Sequence, residues 1–196
     1  MFKRNKGYFL LTMLVLTGFA GRMHTNILTT KERRTLVTEL KSSRNDFFKA
    51  VDGLSPKQLN FRTGKKDLSI KEYICKLVST ENNLWIAAKT SLRQDTSSLK
   101  KTISDDEMLP SVIQQKSFRC KELKFKTTRE ALKFYKNEKA EMLKYVHTST
   151  QNVRAHVTTT CLGNFDAYQL ILLNTIFAKY YTQQIEAIKA HPNFPK

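Results

Sequence analysis

The sequence predicts an all-α protein, a four-helix bundle with a long connection between helices two and three. Three observations predict it. Apolar side chains recur with a 3.6-residue period in four separate stretches of about 20 residues. The first three of those stretches open on residues that cap helix N-termini. No stretch reads as a strand. Helices with one apolar stripe each bury those stripes against one another. A chain of 196 residues with 40% hydrophobic content, six Gly and four Pro reads as one globular domain around one core, without solenoid repeats or a linker-like tract.

Ahead of the bundle, residues 1–20 place Lys3, Arg4 and Lys6 before an apolar run from about Tyr8 to Ala20. That is the layout of a secretory signal peptide, with Gly18 and Ala20 as the small residues before a cleavage point at Gly21. The run is shorter than the roughly 20 residues of a spanning helix. Export to a periplasmic or extracellular location is expected, with an uncleaved N-terminal anchor as the alternative. Residues 21–30 form a leader to the bundle, which takes up 31–196.

Helix one, residues 31–53, carries Leu36, Val37, Leu40, Phe47, Phe48 and Val51 on one face. It starts behind Thr29 or Thr30, with Glu32 at the positive end of its dipole, and stops near Gly53. A turn at Ser55-Pro56 and a break at Thr63-Gly64 follow. Helix two begins at Ser69 or the next residue, because Ser69 and Glu72 form a capping box. Its stripe holds Ile70, Tyr73, Ile74, Leu77, Val78, Leu84, Trp85 and Ala88. Glu81 faces the centre of that stripe, so it needs a cation such as Lys76 or an Arg from another helix. Lys76 lies about 120° from the centre, where a lysine lays its stem on the core and keeps its head in water.

Residues 92–126 are irregular apart from a short helical piece expected near Asp105–Gln115. Thr127-Thr128-Arg129-Glu130 opens helix three, 128–148, with Ala131, Phe134, Tyr135, Met142, Leu143 and Val146 on one face. A loop, TTTCLGNFD, leads to helix four, whose stripe runs through Leu170, Leu173, Ile176, Phe177, Tyr180, Tyr181, Ile185 and Ile188 until Pro192 ends it.

The chain carries 34 Lys+Arg against 17 Asp+Glu, a net charge of +17. Without residues 1–20, which hold three cations and no acid, the balance is 31 to 17, or +14. Such an excess suits contact with a polyanion, but the charges are spread through every segment as in KERR, GKK and KELKFK. There is no specific nucleic-acid signal: aromatics do not alternate with basic residues as in a stacking platform, and Gly-rich phosphate loops are absent. Cys75, Cys120 and Cys161 have no CxxC or zinc-like spacing, so an odd count allows one disulfide at most. Nothing reads as a nucleophile with its base. His24, His147, His156 and His191 never stand three or four apart on one helix.

Specific residues carry a family resemblance. GLSPKQLNFR…LSIKEYICKLVSTE resembles the junction of helices one and two in the DinB-like superfamily, named for damage-inducible proteins. NVRAH…LGNFDAYQLILLNTIFAKYYTQQIEAIKAHPNFPK is similar to the last helix of one branch of that family and is the more specific match. Together they cover most of residues 31–196. The resemblance implies a four-helix bundle holding nickel or zinc through three histidines near one end, one from helix two and two from helix four. It also implies, for members with assigned roles, thiol-dependent transferases and isomerases. Matched position by position, the helix-two ligand falls on Lys76, the helix-four pair on Phe177 and Tyr181, and an Arg that often precedes the second ligand on Tyr180.

None of these makes the family's site. A lysine must lose its proton to coordinate, phenylalanine has no donor atom, and tyrosine is an uncommon ligand for these metals. The expectation is an exported bundle with a degenerate metal site at Lys76, Glu81, Phe177, Tyr180 and Tyr181, without metal or other cofactor. It would act as a non-catalytic binding or scaffold module, with Phe177 and Tyr181 filling core. The alternative is a transferase or hydrolase that uses His147, His156, Glu81 or a cysteine instead. A small-molecule ligand and homodimer formation stay open at this stage.

Overall fold

The computed structural model describes residues 27–95, 100, 101, 103–105, 107, 108, 121–160 and 162–196. The expected signal, most of the leader, and nearly all of the expected helix at Asp105–Gln115 lie outside these residues.

Helix α1 spans Thr30–Val51, and a reciprocal capping box between Thr29 and Glu32 starts it. Helix α2, Pro56–Leu59, is one turn capped by Ser55 and Gln58. Helix α3 spans Ile70–Ser91 behind the expected Ser69–Glu72 box, and α4 spans Thr128–Thr148 with Thr127 accepting from the Glu130 amide. Helix α5 spans Ala167–Lys189. Each box satisfies two backbone donors that the helix itself leaves unpaired.

Contacts between the helices give their directions. Lys179 pairs with Glu39 and Lys189 donates to the Ala50 carbonyl at 2.9 Å, so α5 runs alongside α1 in the same sense. Arg33, near the start of α1, reaches the Val146 and Ser149 carbonyls at the end of α4, and Phe47 packs edge-on against Tyr135 at 4.8 Å. Helix α4 is therefore antiparallel to α1. Glu81 meets Lys139 at 2.6 Å and Lys89 meets Glu141 at 3.0 Å, so α3 and α4 are parallel. A parallel pair needs a connection that returns the length of the helices. Residues 121–123 retrace α3 backwards, the Lys121 carbonyl accepting from Asn83 and the Leu123 amide donating to Ser79. The four long helices enclose one core that includes Leu36, Leu40, Phe47, Ile74, Leu77 and Trp85.

One expectation is corrected. The segment read as a loop before the last helix is a β-hairpin, β1 Val157–Thr160 and β2 Gly163–Asp166, paired antiparallel from Val157↔Asp166 to Thr160↔Gly163. Val157 and three consecutive threonines are β-branched and suit extended backbone. Gly163 supplies a φ of 125°, which a side chain would resist. Strand β2 runs directly into α5, and Asp166 ends the strand and caps the helix at once.

Candidate functional site

The residues matched to the family's ligand positions come from α3 and α5. Phe177 is fully buried and stacks on Tyr181, ring centroids 6.2 Å apart. Tyr181, 5% exposed, also meets Tyr180 at 5.2 Å and Tyr73 at 6.1 Å. Burial pushes its phenol above the ordinary 10, against a hydrogen bond with Thr80 that pulls it back. Lys76 turns instead to Glu122, at 3.1 Å, with its side chain 35% exposed. The carboxylate of Glu122 holds the ammonium. The donor set does not fit the metal that the resemblance implies: one position has no donor, one phenol is engaged by Thr80, and one amine is paired with a carboxylate.

Glu81 is buried as its place in the stripe demands, but its partner corrects the expectation. The cation is Lys139 of α4, not Lys76. The two side chains are 3% and 0% exposed, with Nζ 2.6 Å from Oε2 and 5.4 Å from the Tyr135 ring centroid. Burial pushes the Glu81 carboxyl from 4.5 up to about 7, although Lys139 opposes it. Directly before Lys139 on α4, burial also raises Glu138 to about 7. The second Glu81 oxygen, the Trp85 indole nitrogen and the Tyr135 hydroxyl have no hydrogen-bond partner among the described residues.

A second cluster, which the sequence does not announce, gathers at the end where α1 and α5 begin. Arg154 stands between the hairpin and α4. It grips Glu32 at 2.7 and 3.1 Å, Asp105 at 2.7 and 3.1 Å, and Asp166 at 3.1 Å, while its guanidinium lies 3.7 Å over the Tyr168 ring. Lys101 adds contacts to Asp105 and Asp166, and Gln169 donates to Asp105. Burial raises the carboxyls of Glu32 and Asp105, but the hydrogen bonds, from Arg154 foremost, outweigh it and leave both low. At Asp166, 1% exposed, burial wins and the net direction is up. The sequence signal was faint, since Arg154 lies 122, 49 and 12 residues from its three acids.

His147 is exposed and His156 half-buried, and among the described residues no three His, Cys, Asp or Glu side chains are grouped to hold a metal ion. Cys75 is a free, half-buried thiol whose pKa burial raises, which makes it a poor nucleophile. Cys120 and Cys161 lie outside the described residues. No described helix is long and apolar enough to cross a membrane.

Comparison of the chain with family models, characterised proteins and solved structures gives no match.

Proposed function

We propose that the chain is an exported DinB-like four-helix bundle that works without the family's metal, as a binding or scaffold module and not as an enzyme. The observation that carries the reading is the fate of the three ligand positions. Phe177 is spent on core packing, Tyr181 on Thr80 and its neighbouring rings, and Lys76 on Glu122. A metal would have to displace a fully buried aromatic and break an ion pair to find fewer donors than it needs. The up-down-down-up course of α1, α3, α4 and α5 supports the bundle reading, and the sequence resemblance alone supports the family.

Metal analysis of the purified chain tests this. Less than a tenth of an equivalent of nickel or zinc is expected after mild chelation, with unfolding temperature unchanged by either ion. Near-stoichiometric metal that survives chelation, together with a metal-dependent rise in unfolding temperature, sinks the reading.

A further inference from the structure

The outer sides of α1 and α4 form one basic surface. At about 100° per residue, Arg34, Lys41 and Lys49 fall within an arc of about 80° on α1, and all three are exposed. On α4, Arg129, Lys133, Lys136 and Lys144 fall within an arc of about the same width, again exposed. No Asp or Glu of either helix falls inside these arcs.

Both arcs border the seam between the two helices. On α1, Phe48 touches Tyr135 of α4 at 5.6 Å, and Lys41 stands only about 20° farther round. On α4, the opposite side faces α3 through Glu141, which leaves the basic arc on the α1 side. None of the seven has a carboxylate partner among the described residues, whereas both lysines of α5 and two of the three on α3 do. With 22 residues in α1, the surface is about 33 Å long and, at a helix spacing of about 10 Å, roughly 20 Å wide.

We propose that this α1–α4 face docks on an anionic lipid bilayer, its two rows of cations lying against acidic headgroups. Two helices side by side offer a flat face, and a planar sheet of charge meets both rows together. Among the described residues no element projects from it to enter a nucleic-acid groove, and the face lacks an exposed aromatic on which a single strand would stack. The large apolar side chains exposed among the described residues are Ile27 and Ile86, neither of them on this face, so the contact is electrostatic adsorption without insertion.

Each basic residue near such a surface contributes about fivefold in affinity, so neutralising four lowers binding by about 600-fold. The test is co-sedimentation of residues 21–196, the chain without its apolar N-terminal run, with vesicles of phosphatidylcholine, alone or mixed with phosphatidylglycerol, at low and high salt. Binding to the mixed vesicles is expected, weakened by salt and lost with Arg129→Gln, Lys133→Gln, Lys136→Gln and Lys144→Gln combined. A control carrying Lys57→Gln, Lys65→Gln, Lys66→Gln and Lys71→Gln should keep most of it. Circular dichroism verifies folding, and the α1 set Arg34→Gln, Lys41→Gln and Lys49→Gln serves if the α4 set unfolds. Equal binding to neutral vesicles, equal loss in the control, or tighter binding to duplex DNA at the same salt overturns the proposal.

Discussion

Lys139 and Glu81 meet at the centre of the α3–α4 contact, and their chemistry is set by burial. Removing one partner leaves a charge in the core, so Lys139→Ala should cost about 3–5 kcal/mol. Replacing both with apolar residues of similar volume, Glu81→Leu with Lys139→Met, should leave stability equal or higher at neutral pH. The pair also carries a pH signature. The Glu81 carboxyl, ordinarily 4.5, is held at about 7 in the folded chain, so between those values the folded state keeps a proton that the unfolded state releases. That contribution to stability is complete below about 4.5 and is lost as pH rises through about 7. Urea titrations of both proteins should therefore show the double variant gaining on the native chain from pH 5 to pH 7.5; a constant gap would contradict the assignment. The need for a partner at Glu81 could be read from its place in an apolar stripe. Its identity could not, although Lys139, four residues from both Tyr135 and Leu143, interrupts an apolar stripe in the same way.

Helix ends were the most readable elements, because a capping box is a local bargain between side chain and backbone three residues apart. Ser69 accepts from the Glu72 amide at 3.4 Å while Glu72 receives the Ser69 amide at 2.8 Å, and Arg62 steadies the carboxylate at 2.7 Å. Ser69→Ala should lower stability by about 1 kcal/mol, and Ser69→Asp should restore most of it, as measured by thermal unfolding. The hairpin was unreadable for the opposite reason. Its strands are four residues each, with no apolar alternation along the threonines, and their pairing is secured by β1 packing on α3 and by Asp166 joining β2 to α5. Similarly, the terminal HPNFPK has a structural use: Phe194 packs at right angles on Phe61, 5.5 Å away, and the Pro195 carbonyl accepts from Gln58. This ties the end of α5 to the turn after α1.

Across the whole molecule, charge is arranged unevenly. The positive ends of α1 and α5 share one pole, where Glu32, Asp105 and Asp166 are collected around Arg154 and Lys101. Arg154→Ala would leave Lys101, at 3.4 Å, as the cation of the buried Asp166 and would release the hairpin, Asp105 and α1 from each other. A loss of about 3 kcal/mol is expected, with Arg154→Lys intermediate because an ammonium cannot grip carboxylates in pairs. Hydrogen exchange should show the hairpin and the start of α5 opening first; uniform destabilisation would argue against a clamp. The long helices of the described residues were readable from periodicity and caps, but this pole was not, because it is assembled from segments far apart in the chain.

The parallel course of α3 and α4 leaves a problem of alignment that the ion pair solves. Two apolar helices joined only through residues 92–127 can match ridges to grooves at more than one offset, each a turn of about 5.4 Å apart. A slip by one turn would set Lys139 against Leu77 or Trp85 and Glu81 against Tyr135 or Leu143, all of them buried. Each wrong offset would bury two unmatched charges. Glu81 and Lys139 thus act as a key that fits at one notch, so the pair that adds little to stability selects the alignment in which the rest of the core can close.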